Sequence, residues 1–340
     1  MYVRNGMKQL SHAATAVACA NIAFIKYWGQ HDSQLTLPTN GSISMNLDGC
    51  LTETTVQCLP EAVDDSVWLA LSGGEEVQAK GRQFERVIQQ IERLRQLAGV
   101  TERVEVRSRN NFPSDAGIAS SAAAFAALTR AAASAFRLEL DEAELSRLTR
   151  LSGSGSACRS IPAGFVEWYN DGTHAGSYAA QIAPPEHWNL VDIVAVISTE
   201  AKHVASTSGH SVATTSPYFS VRLEGIEQRL ADVRQGILER DIERLGRASE
   251  ADAMSMHVIA MTAQPSTMYW LPGTLAVMQA VQRWRAQDNL QSYWTIDAGP
   301  NVHVICEAKD APEVEARLCE LDAVQWTIVN GAGPEARLVG

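Results

Sequence analysis

The chain has 340 residues, of which 46% are hydrophobic and 20% are charged, as is usual for a soluble globular protein. Its formal net charge of −11 argues against nucleic acid or an anionic membrane surface as the main partner. Because a single core rarely grows beyond about 250 to 300 residues, this length predicts two domains.

The six cysteines are scattered and form no Cys-x-x-Cys pair. This pattern favours reduced thiols over a disulfide framework or a zinc site. Residues 1–11 are polar and do not resemble a signal peptide, and no apolar run approaches the roughly 20 residues of a membrane span. We therefore expect a soluble, cytoplasmic protein.

The first half of the chain alternates strand-like and helical segments. Apolar and alternating patterns predict strands over 13–27, 42–58, 67–71 and 103–109. Apolar residues at helical spacing predict helices over 80–98 and 122–136, and an Asp141 cap signal predicts a third over 141–151.

The second half opens with an apolar strand near the expected domain boundary. Its predicted elements are a strand over 189–198, a Ser/Thr-rich loop over 205–216, helices over 217–255 and 270–287, and strands over 292–296 and 302–306. Strands and helices without regular βαβ spacing predict an α+β fold.

The most informative segment is Asn110 to Ala124, with the sequence NNFPSDAGIASSAAA. Small residues let a phosphate approach the backbone, and the first turn of the following helix offers unpaired N–H groups and a positive dipole end. Ser120 and Ser121 at the helix mouth can bind a phosphate oxygen or help to hold Mg²⁺. The segment points to a nucleotide phosphate, although an ordinary helix cap has a similar composition.

Three charged residues lie in unusual local settings. Lys26 is flanked by Phe-Ile and Tyr-Trp pairs, where a buried cation needs a partner. Arg159 follows a Gly/Ser loop, where its planar guanidinium suits a carboxylate or phosphate. Asp297 ends a predicted strand just before a Gly-Pro turn. Each residue alone also fits a surface charge or a turn.

Taken in order, these segments closely resemble the mevalonate diphosphate decarboxylase family of the GHMP kinase superfamily. The motifs that carry the resemblance are NIAFIKYWG, LPTNGSIS, NNFPSDAGIASSAA, GSGSACRS, GFVEW, Met256-His257 and DAGPN. The resemblance implies a two-domain α+β, GHMP kinase-like fold with an ATP-binding domain over 1–190, a second domain over 191–340, and an active site in the cleft between them. It also implies a homodimer.

The same resemblance implies ATP and Mg²⁺ as cosubstrates. Family members phosphorylate the tertiary C3 hydroxyl of a 5-phosphorylated mevalonate, and loss of that phosphate with CO₂ leaves an isopentenyl product. Asp297 would accept or orient the hydroxyl proton, and Lys26 would neutralise charge beside it.

The other site residues are carried over from the matching motifs. Arg159 and Asn21 would hold the substrate carboxylate. Tyr27 and Ser206 would bind the 5-phosphate, and Thr207 is also assigned to the substrate. His210 fits either a phosphate ligand or a solvent-facing residue of its loop. The ATP phosphates are assigned to Ser114, Gly117, Ala119, Ser120 and Ser121, with the metal on Ser120 or Ser121.

Three departures from the family pattern remove cations. Gln30-His31 follows KYWG, Leu151-Ser152 precedes GSGSA, and no Arg occurs over 206–217. Because a phosphate buried without partners is unfavourable, we expect mevalonate 5-phosphate as substrate and isopentenyl phosphate as product.

The alternative substrate is mevalonate 5-diphosphate. Its additional charge would then be met by other cations, for which the sequence offers Lys80, Arg82, Lys202 and His210. A mevalonate-type kinase without decarboxylation, or a ligand sensor without turnover, fits less well because Lys26 and Asp297 are both present.

Overall fold

The computed structural model describes residues 12–113, 120–200 and 206–340. The strands in those ranges are β1 Ala13–Ile25, β2 Gln30–Asp32, β3 Leu37–Pro38, β4 Ser42–Leu59, β5 Ser66–Ala70, β6 Val77–Gln78, β7 Arg103–Asn110, β8 Phe165–Trp168, β9 Ala179–Ala183, β10 Leu190–Val196, β11 Ser292–Thr295, β12 Val302–Glu307, β13 Trp326–Asn330 and β14 Arg337–Val339. The α-helices are α1 Gly81–Ala98, α2 Ser120–Ala135, α3 Glu142–Arg150, α4 Ser206–Val212, α5 Phe219–Glu224, α6 Ile226–Glu239, α7 Ile242–Thr262, α8 Pro272–Asp288 and α9 Ala311–Cys319. The predicted α+β class is confirmed.

Local sequence signals account for the helices of the first half. Helix α1 ends at Gly99, whose φ of 65° is readily adopted only without a side chain. Helix α3 begins with a capping box, in which Asp141 accepts from the Glu144 backbone and the Glu144 side chain bonds back to Asp141. The helices predicted there are confirmed, with their ends shifted by one or two residues.

The larger sheet positions the functional segment after β1. Its strand order is β14-β1-β4-β7-β5-β6, with β8 pairing with β4 and β9 pairing with β8. Residues 18–25 of β1 are all buried, which explains their continuous apolar character. Strand β1 therefore ends inside the protein, and Lys26 follows it there.

The smaller sheet has the order β11-β12-β10-β13 and is antiparallel. Asp297 lies just beyond the end of β11. Helix α7 packs against both β1 and β11. This packing brings the ends of two strands that are distant in sequence to one place.

The predicted boundary between residues 190 and 191 stays a prediction. The last strand of the chain, β14, pairs with β1 in the larger sheet. The C-terminal segment therefore contributes to the sheet built mainly by the first half.

Two predictions for the second half are wrong in detail. Residues 205–216 were expected to form a loop, but the described part of this segment contains the helix α4, whose Gly209 lies against Trp28. The helix expected over 217–255 is divided into α5, α6 and α7. Gly225 separates α5 from α6, and Arg240, with φ of 59°, ends α6. Hydrophobic periodicity alone did not show these interruptions.

No helix among the described residues is both long and apolar enough to cross a membrane.

Candidate active site

Lys26 and Asp297 form an ion pair at the ends of β1 and β11. Lys26 Nζ lies 2.5 Å from Asp297 Oδ1 and also donates to the Ala23 carbonyl at 2.6 Å. The Lys26 side chain is 3% exposed, whereas that of Asp297 is 23% exposed. The carboxylate is thus reachable from outside while its partner is held below it.

Each member of the pair opposes the effect of burial on the other. Burial raises the pKa of Asp297, but the Lys26 ammonium outweighs it and holds this pKa below its ordinary value. Burial lowers the pKa of Lys26, and the charge and hydrogen bond of Asp297 oppose that effect. Asp297 is therefore a carboxylate at neutral pH, the form that can accept a proton from a hydroxyl.

Arg159 lies fully buried in the turn over Gly155–Ser160 that follows α3. Its Nε and Nη2 donate to Asn21 Oδ1 at 3.2 and 3.0 Å, and its Nη1 donates to Ser42 Oγ at 2.5 Å. A guanidinium has five N–H groups, so two remain for an anion after these contacts with described residues. The geometry suits binding of a carboxylate.

Asn21 orients Arg159 in this structure. Its amide nitrogen donates to Ser160 Oγ at 2.8 Å and to the Ser156 carbonyl at 3.2 Å, and its oxygen accepts from Arg159. These bonds occupy both amide hydrogens. The predicted contact between Asn21 and the substrate stays a prediction.

Tyr27 and His210 pack against each other beside the Lys26–Asp297 pair. Their ring centroids are 4.0 Å apart, and Tyr27 Oη accepts from Gln30 Nε2 at 2.6 Å. His210 Nδ1 accepts from the Gly29 N–H at 3.1 Å. Burial lowers the pKa of His210 to about 3, so this ring is neutral and does not replace a missing cation.

Helix α4 carries Ser206 and Thr207 at its start, and the side chains of those two residues lie outside the description. Gly209, in the middle of this helix, lies against Trp28. A Cβ added to Gly209 would stand 2.4 Å from the Trp28 ring, closer than real contacts allow. The segment predicted to bind phosphate therefore packs directly against the KYWG segment, through Gly209 and Trp28.

A cavity of about 340 Å³ lies between α1, α2 and the strands β4, β5 and β7. Ser120 and Ser121 line the cavity together with the apolar side chains of Leu69 and Phe125. Arg82 contributes a positive charge to the lining. Apolar walls with a few polar groups are typical of small-molecule sites. The predicted residues Ser114, Gly117 and Ala119 lie outside the described residues.

The donor set at the cavity suits ATP with a magnesium ion. Ser121 Oγ lies 3.0 Å from Ser154 Oγ, so two hydroxyl groups meet at the start of α2. Hydroxyl oxygens are hard ligands, which Mg²⁺ accepts together with phosphate oxygens.

Several residues that hold the site together were missed by sequence reasoning. Ser42 and Asn40 belong to the LPTNGSIS motif. The motif was recognised in the sequence, but no function was assigned to these two residues. Asp252 and Arg222 lie on α7 and α5 and contact the backbone of Lys26. They showed no local signal, because charged residues on helices usually face solvent.

Comparisons with known proteins agree with this architecture. Residues 18–179 match the model of the diphosphomevalonate decarboxylase-like N-terminal domain, and residues 192–328 match that of the mevalonate 5-diphosphate decarboxylase C-terminal domain.

Individual relatives match over most of their length. Diphosphomevalonate decarboxylase of Ganoderma lucidum is 34% identical, over 89% of this chain and 80% of its own. Phosphomevalonate decarboxylase of Haloferax volcanii is 30% identical, over 93% of this chain and 95% of its own. A solved structure, MDDEF in complex with MVAPP, AMPPCP and magnesium, is similar with a TM-score of 0.89 and 35% identity, over 96% of this chain and 98% of its own.

Proposed function

The chain belongs to the mevalonate 5-diphosphate decarboxylase family of ATP-dependent lyases, and we propose that its own substrate is mevalonate 5-diphosphate. The products would be isopentenyl diphosphate, ADP, phosphate and CO₂. The observation that carries this proposal is the Lys26–Asp297 pair, which provides a buried ammonium beside a reachable carboxylate. This pair is what phosphorylation of a tertiary alcohol requires.

The first step is transfer of the γ-phosphoryl group to the C3 hydroxyl. Asp297 accepts a hydrogen bond from that hydroxyl and takes its proton as the oxygen bonds to phosphorus. Lys26 stabilises negative charge on Asp297 and on the phosphoryl group in transit. Magnesium, when bound, neutralises charge on the ATP phosphates, and Ser120, Ser121 and Ser154 are the residues placed to assist.

The second step breaks two bonds at once or in close succession. The C3 phosphate leaves, and the electrons of the bond to the carboxylate form the new double bond as CO₂ departs. Arg159 holds the carboxylate through its two remaining N–H groups, which aligns the breaking C–C bond with the leaving phosphate. Hydrogen bonds to Asn21 and Ser42 hold the Arg159 guanidinium in one orientation, which favours one orientation of the bound carboxylate.

The preference for mevalonate 5-phosphate that we drew from the missing cations is not supported. The Ganoderma enzyme and the MVAPP complex are more similar to this chain than the phosphomevalonate enzyme of Haloferax volcanii is. Positive charge near Tyr27 also supports the diphosphate. The Tyr27 hydroxyl lies in the field of both Arg159 and Arg150, and Arg150 is fully buried.

Mevalonate 5-phosphate stays the second candidate for one specific reason. His210 is neutral, and Gln30 takes the hydrogen-bonding position beside Tyr27 where a cation was expected. This end of the site is therefore less basic than the family pattern predicts.

The test is kcat/KM for CO₂ release with ATP and magnesium, compared between the two substrates. A preference of about tenfold or more for the diphosphate, which equals about 1.4 kcal/mol, is the expected result. The same preference for the monophosphate would reject the diphosphate assignment. Phosphorylation without CO₂ release from either substrate would instead identify a kinase.

A further inference from the structure

Both backbone polar groups of Lys26 are held by buried side chains. The Lys26 N–H donates to Asp252 Oδ2 at 2.6 Å. Its carbonyl accepts from Arg222 Nη2 at 3.1 Å and from Asn40 Nδ2 at 3.0 Å. Three segments that are far apart in the sequence therefore converge on the backbone of one residue.

Arg222 and Asp252 form the rigid part of this contact. The Arg222 guanidinium bonds both carboxylate oxygens of Asp252, at 3.0 and 3.1 Å, and also its backbone carbonyl at 3.1 Å. The two side chains are 1% and 0% exposed. A buried ion pair contributes little to stability compared with apolar packing, so its position at Lys26 suggests a different use.

Arg229 provides an internal comparison. Its Nε donates to Asp252 Oδ1 at 3.0 Å and its Nη2 donates to the Arg222 carbonyl at 2.8 Å. Among the contacts of the described residues, no hydrogen bond joins Arg229 to Lys26. Two arginines thus share one carboxylate, and one of the two also reaches the Lys26 backbone.

The backbone contact matters because the lysine side chain is long and flexible. Its ammonium has to meet the Ala23 carbonyl and Asp297 at the same time. With the backbone fixed, only the side-chain torsions remain to be restricted. The negative charge of Asp252 also favours the charged form of Lys26, against the effect of burial.

We propose that Arg222 and Asp252 are positioning residues for Lys26, which hold its backbone so that its ammonium stays on Asp297. This inference rests on the proposed function, because that function assigns the chemistry to Lys26 and Asp297. Neither Arg222 nor Asp252 contacts the substrate in this assignment. Their effect on turnover passes through Lys26.

The test compares Arg222→Lys with the matched variant Arg229→Lys. Both keep a cation beside Asp252, and both lose a planar guanidinium. Only the first loses the bond to the Lys26 carbonyl. We expect both variants to lower the melting temperature, and only Arg222→Lys to lower kcat, by about tenfold or more, with the KM values for ATP and substrate changed by less than about threefold.

Two results would overturn the inference: a folded Arg222→Lys enzyme with kcat within about twofold of wild type, or an equal loss of kcat in Arg229→Lys. If Arg222→Lys does not fold, Asp252→Asn decides. It keeps the size of the side chain but replaces one of the two oxygens that accept from the Lys26 N–H and from Arg222, and a kcat within about twofold of wild type in that variant would reject the inference.

A second readout does not depend on turnover. Reductive methylation of Lys26 by formaldehyde and borohydride, followed by peptide mass spectrometry, reports how firmly the amine is held. We expect faster modification in Arg222→Lys than in Arg229→Lys, and equal rates would contradict the inference. Absence of CO₂ release by the wild-type enzyme would reject the proposed function alone, since the methylation rates would still test the restraint on Lys26.

Discussion

Gly209 of α4 lies directly against the indole of Trp28, so closely that any Cβ at position 209 would overlap the ring. The added atom would stand 2.4 Å from Trp28 Cη2 and 3.1 Å from Tyr269 Oη. Trp28 and Tyr269 are themselves buried in one apolar cluster with Met256 and Ala298. Because that cluster includes the residue after Asp297, α4 packs on the same apolar cluster as the turn that carries Asp297.

Gly209→Ala is therefore expected to raise the KM for the phosphorylated mevalonate by about fivefold or more. A change from Gly to Ala within a helix usually stabilises a protein by about 0.5–1 kcal/mol, but here the overlap with Trp28 opposes that gain. Steady-state kinetics and a melting curve measure both effects. Ser211→Ala, at an exposed position of the same helix, is the control, and equal KM changes in the two variants would contradict the prediction.

Removal of the charge at position 297 should abolish turnover without abolishing ATP binding. In Asp297→Asn, the amide cannot accept the hydroxyl proton, and we expect kcat to fall by about a thousandfold. The cavity proposed for ATP lies between α1 and α2, so the ATP dissociation constant should change by less than about twofold. Rapid-quench measurement of ADP and equilibrium binding separate the two effects. Near-normal CO₂ release would disprove the assigned role.

The stability of the protein should decrease in acid through His210. The folded state does not protonate this ring until about pH 3, whereas the unfolded chain protonates it near pH 6.5. Between these values the unfolded state binds more protons, so stability falls as the pH falls. Near pH 5 the loss from this residue is about 2 kcal/mol.

The corresponding variant is His210→Asn. The free energy of unfolding falls between about pH 7 and pH 5 in both proteins. The fall should be smaller in the variant than in wild type, and the difference between the two falls should be about 2 kcal/mol. Denaturant titrations at the two pH values measure this difference. His31→Asn at an exposed position is the control, and the same pH dependence in wild type and His210→Asn would rule out the explanation.

Filling the cavity beside α2 should weaken ATP binding selectively. Ala124 lines that cavity, and Ala124→Leu adds three carbon atoms to its interior. We expect the KM for ATP to rise by about tenfold, with the KM for the phosphorylated mevalonate changed by less than about twofold. The second substrate serves as the internal control. An equal rise for both substrates would indicate a general distortion instead of an occupied nucleotide site.

The sequence was sufficient where local signals and short motifs decide the structure. The capping box at Asp141, the apolar run of β1 and the spacing of α1 predicted those elements. Lys26 was predicted to have a partner because a cation among apolar residues requires one. In the structure that partner is Asp297.

The sequence was insufficient to predict features that depend on contacts between segments far apart in the chain. The contact of α4 with Trp28 joins segments about 180 residues apart, and the low pKa of His210 follows from burial among residues far away in the chain. The contacts of Asp252 and Arg222 with Lys26 span about 200 residues, a separation over which helical periodicity carries no information. The expected preference for the monophosphate is less well supported than the diphosphate, and it rested on charges counted by sequence position alone.

Arg159 allows a separate test of how the carboxylate is held. Arg159→Lys keeps the charge but replaces a planar group that is fixed by Asn21 and Ser42 with a flexible one. Since alignment of the C–C bond matters for the second step, we expect kcat for CO₂ release to fall by about a hundredfold. Phosphorylation of the C3 hydroxyl should fall less, so ADP should form faster than CO₂ in a single turnover.

The measurement is the ratio of ADP to CO₂ during that turnover, and Ser42→Ala is a graded control. It removes one of the three hydrogen bonds from Arg159 and leaves the guanidinium in place. We expect an intermediate loss of CO₂ release, about tenfold or less. Equal slowing of ADP and CO₂ formation in Arg159→Lys would instead place Arg159 in the phosphoryl-transfer step and remove the assignment to the carboxylate.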